Sequence, residues 1–199
     1  EIYNYYKEQG WKYQQYIACL DPLGEDRGKT PYALNPEQYG MFLTELFNLW
    51  YEDWKKGEQP YIRQFENYIG ILLGYQPESC EQRGSCGIQN VVEADGSVYP
   101  CDFYALDEYK LGNFNCNRLE EIDKKRKEIA FVEQSQIVAE NCKNCKFYKI
   151  CKGGCRRNKD FNAMNGEYEN YFCKSYRIFF DICLERMIQI VEIIKNQKG

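Results

Sequence analysis

The chain contains no histidine. This absence excludes Cys2His2 zinc fingers, catalytic zinc sites that include histidine, and the usual acid/base residue at neutral pH. The sequence also has no signal peptide and no apolar run long enough to span a bilayer, so we expect a cytoplasmic protein without a membrane partner. A transition-metal site must therefore use thiolates, and acid/base chemistry must use carboxylates or tyrosines.

Cysteine, in contrast, is abundant, with 11 residues among 199. Disulfides, structural zinc and iron-sulfur clusters are the three competing explanations. Disulfides belong to oxidising compartments and to small domains without a sufficient core, whereas 44% hydrophobic and 16% aromatic residues can fill a core here. Cysteines only two or three residues apart also suit ligation better than independent bridges. The pattern therefore favours metal-bound cysteines.

Eight cysteines fall into two groups along the chain. The first group is Cys80, Cys86 and Cys101, and the second is Cys142, Cys145, Cys151, Cys155 and Cys173, while Cys19, Cys116 and Cys183 are isolated. A two-residue gap lets sulfurs converge on one centre in both zinc and iron-sulfur sites, so it does not distinguish them. In two-cluster ferredoxins, the last cysteine of a compact run ligates the other cluster. If Cys155 is counted with the first group, each group has four cysteines.

The cysteine spacing also resembles that of a known family. Cys86-x9-Gly96-x4-Cys101, Cys142-x2-Cys145-x5-Cys151-x3-Cys155 and Cys173 are similar to the seven-cysteine signature of the SPASM domain of radical S-adenosylmethionine enzymes. Within that group, CGIQNVVEADGSVYPCDFY and residues 80–196 look like an anaerobic sulfatase-maturating enzyme. The resemblance implies two auxiliary [4Fe-4S] clusters. Their ligands would be Cys80, Cys86, Cys101 and Cys155 for one, and Cys142, Cys145, Cys151 and Cys173 for the other.

The resemblance implies a reaction as well. Such enzymes oxidise a cysteine or serine of a sulfatase polypeptide to Cα-formylglycine, after a 5'-deoxyadenosyl radical has removed a β-hydrogen. Asp102, directly after Cys101, would take the proton from the target thiol or hydroxyl. Without the resemblance, such an aspartate would more often cap a turn. We expect a monomer that binds a sulfatase peptide and no nucleic acid.

One family feature is missing from the sequence. Radical S-adenosylmethionine enzymes open with a Cys-x3-Cys-x2-Cys loop, which does not occur here, and the chain begins at Glu1. We therefore expect a fragment that does not cleave S-adenosylmethionine by itself. A third [4Fe-4S] cluster and S-adenosylmethionine would belong to the absent N-terminal part.

The fold class that we expect is α+β. By resemblance, residues 1–57 are the last strand and helix of a partial (β/α)6 barrel, residues 58–79 form a bridge, and residues 80–199 are the auxiliary domain. The sequence itself predicts a strand over 13–19 and a helix that begins at Asn35, because Asn-Pro-Glu-Gln combines a capping side chain with proline at the first helical position. Apolar residues spaced by three and four predict that this helix packs in the core.

The second half contains three further element patterns. Residues 88–92 and 97–99 flank Asp95-Gly96, which predicts a hairpin that brings Cys86 and Cys101 to one end. Residues 119–131 read as a solvated helix, rich in charged side chains. Residues 171–196 form the longest apolar-periodic segment and predict a helix that closes over the core.

A basic run accompanies the second cysteine group, although the whole chain has a formal charge of -4. An oxidised [4Fe-4S] cluster with four thiolates carries a charge of about -2, so cations would stabilise it. A nucleic-acid site and a solvated loop are the alternatives. The run contains Lys143, Lys146, Lys149, Lys152, Arg156, Arg157 and Lys159, with no acidic residue among them.

Several functions remain open on these grounds. The nearest alternative is the SPASM domain of another peptide-modifying radical enzyme, which would hold the same clusters and form a different product. A stand-alone electron-transfer protein would need a complete chain of this length. A zinc-structured binding module would hold zinc in place of iron.

Overall fold

The computed structural model describes residues 1–197, and Lys198 and Gly199, with which the predicted domain 80–199 ends, lie outside the described residues. The fold is a mixture of helices and short strands, in agreement with the predicted α+β class. The helices are α1 (Ile2–Glu8), α2 (Pro36–Trp54), α3 (Arg63–Leu72), α4 (Cys80–Arg83), α5 (Leu119–Glu128), α6 (Phe131–Ser135), α7 (Glu140–Lys143), α8 (Tyr148–Cys151) and α9 (Cys173–Gln197). The strands are β1 (Tyr13–Gln14), β2 (Tyr61–Ile62), β3 (Val91–Val92), β4 (Ser97–Tyr99), β5 (Gly112–Asn113), β6 (Lys159–Asn162) and β7 (Glu167–Asn170).

Helix α2 begins where the sequence predicts. Asn35 accepts a hydrogen bond from the amide of Gln38 at 2.8 Å, and the Gln38 side chain accepts one from the Asn35 amide at 3.4 Å. This capping box satisfies amides that the first helical turn leaves without partners. The predicted apolar stripe of α2 is buried at Tyr39, Leu43, Leu46, Phe47 and Trp50, and partly buried at Phe42 and Trp54.

The main core lies between α2, α3 and α9. Phe47, Phe65 and Phe179, one from each helix, are fully buried, and their ring centroids are 5.2 to 5.9 Å apart. Helix α2 approaches α9 closely at Gly40, where an added Cβ would lie 3.0 Å from the Cα of Ser175. The predicted long helix is thus confirmed, and its stripe from Tyr176 to Val191 is buried in this core.

The strand predicted over residues 13–19 is shorter in the structure. Only Tyr13 and Gln14 pair, in parallel, with Tyr61 and Ile62. The chain leaves the pairing at Tyr16, whose carbonyl accepts a hydrogen bond from the Gln64 side chain instead. At Tyr16, a hydrogen bond from a side chain therefore takes the place of backbone pairing between strands.

A small antiparallel sheet of β3, β4 and β5 forms the predicted hairpin and adds one strand. Val91 pairs with Tyr99, and Gly96 in the connecting turn has φ 84°, which glycine adopts without strain. The sheet packs on α5 around a second small core of Val98, Leu111 and Ile122.

The helix predicted over residues 119–131 is interrupted. Helix α5 ends at Glu128, and Ala130, with φ 47°, turns the chain before α6 begins at Phe131. The reason is burial, because the turn places Phe131 against Tyr104, with ring centroids 5.0 Å apart. The remaining hairpin, β6 and β7, leads directly into α9.

Candidate metal centres

The structure brings four of the clustered cysteines to one cavity of 530 Å³, here called the first cavity. Asp102 also lies on its wall, with Tyr16 and Tyr39. The four thiols belong to Cys80, Cys86, Cys101 and Cys155. The cavity thus combines cysteines that are far apart in sequence, including the one from the second cysteine group.

Each of these thiols has its own local support. Cys80 opens α4, where the Ser79 hydroxyl accepts a hydrogen bond from the amide of Glu81 at 3.3 Å. The Cys86 amide donates to the Ser135 hydroxyl at 2.8 Å. Cys101 follows the hairpin, and the Cys155 sulfur accepts a hydrogen bond from the Arg157 amide at 3.4 Å.

A close backbone approach joins the two cysteine segments. Gly84, between Cys80 and Cys86, has φ 71°, and an added Cβ would lie 2.3 Å from the carbonyl oxygen of Lys152. Lys152 itself has φ 55°, so the chain turns sharply between Cys151 and Cys155. This turn directs Cys155 away from its sequence neighbour Cys151.

A second, narrower cavity of 40 Å³ contains the other four thiols. They are Cys142, Cys145, Cys151 and Cys173, and Phe147, Tyr148 and Tyr176 line the same cavity. Cys173 is the first residue of α9, where the helix presents amide donors and partial positive charge. Asn170 fixes this region, because its side chain donates to the Gly153 carbonyl at 2.9 Å and accepts from the Phe172 amide at 2.7 Å.

Three of the thiols are held in the protonated form by their surroundings. Burial raises the pKa of Cys101, Cys151 and Cys155 to about 12 in each case. Metal ligation needs thiolates, so binding of iron or zinc would release these protons.

The basic run divides into two parts. Lys143 and Lys146 are exposed and pair with Glu140 and Asp181 at 2.6 Å. Arg156 and Arg157 lie on the wall of the first cavity instead. Burial lowers the pKa of Lys159, although the thiols of Cys142 and Cys86, one from each cavity, act against that shift. Part of the run is thus positioned to stabilise anionic groups, and part is solvated.

The donor sets fit iron-sulfur clusters. The cysteines within residues 1–197 form no disulfides, and each cavity has four of the clustered cysteines on its wall. In the described part of the chain, no three cysteine or carboxylate side chains are arranged to hold a single metal ion. A single zinc ion requires sulfurs at about 2.3 Å from one point. A four-iron cluster gives each thiolate a separate iron, so the thiols need only surround the group.

Comparisons with known proteins agree with this chemistry. Residues 80–146 match the SPASM family model, described as an iron-sulfur cluster-binding domain. A cysteine-type anaerobic sulfatase-maturating enzyme from Clostridium perfringens strain 13 is 45% identical over 98% of this chain and 53% of its own length. The corresponding enzyme of Clostridium novyi is 41% identical over 98% of this chain and 52% of its own.

Solved structures give the same relationship. The structure titled "Native anSMEcpe with bound AdoMet and Kp18Cys peptide" superposes with a TM-score of 0.88 and 43% identity, over 96% of this chain and 53% of that one. Over nearly its whole length, the chain is thus similar to the anaerobic sulfatase-maturating enzymes. It spans about half the length of the curated relatives that it matches.

Asp102, predicted as the base, lies beside the thiols. It opens a 3-10 turn directly after Cys101, is exposed in the first cavity, and accepts a hydrogen bond from the Cys101 thiol at 3.1 Å. This position permits contact with a group bound in the cavity.

Two polar residues on the cavity walls were not predicted. Glu81 lies on the wall of the first cavity and Tyr176 on that of the second. Neither has a sequence signal, because Glu81 reads as an ordinary first-turn acid and Tyr176 as part of an apolar stripe. Cys19, predicted as isolated, also lies on the wall of the first cavity, whereas Cys116 and Cys183 are in neither cavity.

No helix within residues 1–197 combines the length and the apolar character needed to cross a membrane.

Proposed function

We propose that this chain is the cluster-binding half of an enzyme that oxidises a side chain of a sulfatase to Cα-formylglycine. The observation that carries this proposal is the first cavity, in which Asp102 and four thiols share one wall. Its volume of 530 Å³ lies within the usual range of small-ligand sites, which leaves room for a substrate side chain. The names of the relatives support the same reaction.

The proposed ligand sets follow the two cavities. Cys80, Cys86, Cys101 and Cys155 would hold one [4Fe-4S] cluster, and Cys142, Cys145, Cys151 and Cys173 the other. Such clusters accept or donate one electron at potentials that the protein tunes. Arg156 and Lys159 would balance their negative charge.

In the proposed reaction, Asp102 is the base. The substrate loses a β-hydrogen atom to the radical that S-adenosylmethionine supplies, and its thiol proton passes to an Asp102 carboxylate oxygen. One further electron would leave the substrate, and a bound iron-sulfur cluster would supply its acceptor. Water would then replace the sulfur of the resulting thioaldehyde, which gives the aldehyde and releases hydrogen sulfide. The exposed position of Asp102 inside the cavity supports this role, because a base must come within hydrogen-bond reach of the proton that it accepts.

A cysteine is the substrate that we propose, rather than a serine. The relatives named cysteine-type are 41 to 45% identical, whereas the serine-type enzyme of Bacteroides thetaiotaomicron is 29% identical.

We further propose that β1, α2 and β2 are the end of a partial barrel, since α2 connects two parallel strands. Free thiols suit a reducing cytoplasm.

The ligand sets can be tested by single substitutions. Anaerobic reconstitution should load these eight thiols with about eight irons and eight sulfides, with broad absorption near roughly 400 nm. Cys101→Ser and Cys155→Ser should lose the same cluster, and Cys151→Ser the other, by Mössbauer spectroscopy and iron analysis. A colourless protein with two zinc ions, or a Cys155→Ser protein that loses the same cluster as Cys151→Ser, contradicts the assignment.

Asp102→Asn tests the proposed base in the complete polypeptide. We expect full iron content and a decrease of about 100-fold or more in oxidation of a sulfatase peptide, because general bases contribute on that order. Asp107→Asn, an exposed aspartate in the next turn that is absent from the cavity wall, is the matched control and should retain activity. Unchanged turnover by Asp102→Asn removes this residue from the mechanism.

A further inference from the structure

One hydrogen bond spans the space between the two cavities. Tyr176, on the wall of the second cavity, donates its hydroxyl proton to the Glu81 carboxylate at 2.5 Å. Glu81 lies on the wall of the first cavity and follows Cys80 directly in α4. The two residues are 95 positions apart in sequence. A side chain from each thiol site is therefore bonded to a side chain from the other.

The environment of this bond makes it strong and directional. Tyr176 is 3% exposed, on the buried face of α9, and Tyr39 packs edge-on against its ring with centroids 6.2 Å apart. Glu81 is partly buried, and its amide is held by the Ser79 hydroxyl. Water competes poorly for such a pair, and electrostatic effects extend further in a protein interior than in solvent.

The bond also connects the elements that carry the ligands. Helix α4 has four residues and carries Cys80, while α9 carries Cys173 three residues before Tyr176. A shift of either element changes the geometry of the pair, and through it the other element.

We propose that the Tyr176–Glu81 hydrogen bond couples the two cluster sites, so that each cluster's reduction potential depends on residues lining the other cavity. Both are positioning residues, since they act through the elements that carry the cysteines. The inference rests on the proposed function, because it requires both thiol sets to hold clusters.

The test is a double-mutant cycle on the cluster-loaded protein. Tyr176→Phe removes only the hydroxyl, and Glu81→Gln keeps the size of the side chain. Redox titration followed by electron paramagnetic resonance gives the midpoint potential of each auxiliary cluster. We expect each single variant to shift both midpoints, and the double variant to shift them no further than the larger single effect, because both substitutions remove the same bond.

Tyr3→Phe is the matched control. Tyr3 is a buried tyrosine whose hydroxyl donates to the Asp53 carboxylate at 2.6 Å, and it lines neither cavity. This control variant should leave both midpoint potentials unchanged. In the complete polypeptide, the midpoint potential of the third cluster should stay constant in all variants.

Two results separate the failure of this inference from the failure of the proposed function. Iron analysis comes first, and a protein without two clusters overturns the proposed function itself. If both clusters load but each variant shifts a different midpoint and the shifts add, or neither variant shifts any midpoint, the coupling is absent. If Tyr176→Phe does not load, Glu81→Gln alone decides, because a shift of both midpoints is still required.

Discussion

The absence of a side chain at Gly84 permits the segments that carry Cys80 and Cys155 to touch. Its φ is 71°, and the Lys152 carbonyl would lie 2.3 Å from an added Cβ. Ala at this position would suffer both backbone strain and a clash with backbone, which cannot move aside as a flexible side chain can. The contact therefore tolerates no other residue type without movement of a cysteine segment.

We expect Gly84→Ala to lower the free energy of unfolding by about 2 kcal/mol or more. Gly57→Ala is the matched control, since Gly57 has φ 74° but nothing within 4 Å of an added Cβ. Gly57→Ala should lower the free energy of unfolding by about 1 kcal/mol, because it introduces backbone strain without a clash. Chemical denaturation of the two variants measures the difference, and equal losses would show that the close approach to Lys152 does not matter.

Asp21 supports the loop before α2. It is fully buried and accepts hydrogen bonds from the Gly28 amide at 2.7 Å and from the Thr30 amide and hydroxyl at 2.8 Å. Burial alone would raise the pKa of this carboxyl, but the bonds outweigh it and lower the pKa to about 2. A depressed folded-state pKa stabilises the fold above the unfolded value near 4, and this contribution disappears only as the pH falls toward 2.

Asp21→Asn should therefore lower the melting temperature by about 3 to 6 °C, because an amide nitrogen would face amide donors. Asp21 stays ionised at all pH values above about 5, so the loss should be constant from pH 5.5 to pH 8. Thermal unfolding followed by circular dichroism across this range measures it. Asp26→Asn, an exposed control that pairs with Lys29, should change little. A loss that varies with pH in this window contradicts the depressed pKa.

At the scale of residues, spacing predicted two groups of cysteines, and the resemblance to a known family predicted Asp102 as the base. All nine residues line the two cavities, and their roles as ligands and base stay predictions. Glu81 could not be selected, because its role depends on Tyr176, 95 positions away in sequence. Local patterns carry no information on such a distant partner.

At the scale of elements, the docking of α2 on α9 depends on a helical glycine. An added Cβ at Gly40 would lie 3.0 Å from the Ser175 Cα and 3.1 Å from its carbonyl oxygen. We expect Gly40→Leu to separate the two helices and to cost about 1 to 3 kcal/mol through overpacking. Gly70 in α3 is the contrast, because an added Cβ there meets only the Tyr75 Cβ, at 4.0 Å.

Gly70→Ala should instead stabilise the protein by about 0.5 to 1 kcal/mol, since alanine is the better helix former where space permits. Urea denaturation of the two variants measures both changes in the free energy of unfolding, a decrease for Gly40→Leu and an increase for Gly70→Ala. Stabilisation by Gly40→Leu, or a large loss with Gly70→Ala, would contradict the packing described for these helices.

Elements with local determinants were predictable, and elements with distant partners were not. The start of α2 depends on Asn35 and Gln38, three residues apart, and was predicted correctly. The strand over 13–19 was predicted too long, because its length depends on the two residues of β2 and on Gln64. The break at Ala130 was missed because it serves the burial of Phe131 against Tyr104.

For the whole molecule, removal of metal should affect one part more than the other. The helical core around Phe47, Phe65 and Phe179 contains twenty buried residues, whereas the sheet and α5 enclose three. Metal binding contributes folding free energy where the apolar core is small. We expect the cysteine-bearing region to depend on its clusters and the helical core to be more independent.

Chelation of iron under argon tests this expectation by hydrogen exchange. Amides of residues 86–135 should lose protection by a factor of about 100 or more, while α2 and the middle of α9 keep theirs. The matched reference is the same protein with both clusters loaded. Equal loss of protection in α2 would show that the helical core also depends on metal.

The division of cysteines between the cavities was counted from the sequence, but the cavities themselves were not predictable. Cys155 lies between Cys151 and Cys173 in the chain, yet the turn at Lys152 takes it to the other set. That turn depends on contact with Gly84, which no short pattern reveals. The sequence therefore indicates which cysteines are candidate ligands, and the fold determines which of them share a cavity.

The exchange of Cys155 has a consequence for biosynthesis. As the polypeptide leaves the ribosome, Cys80, Cys86 and Cys101 emerge early but lack their fourth companion until position 155 has been translated. The second set is complete only after Cys173 has emerged as well. In the proposed function, the first site therefore stays open as three thiols while residues 102–155 are translated, and other metal ions could bind to it during that interval.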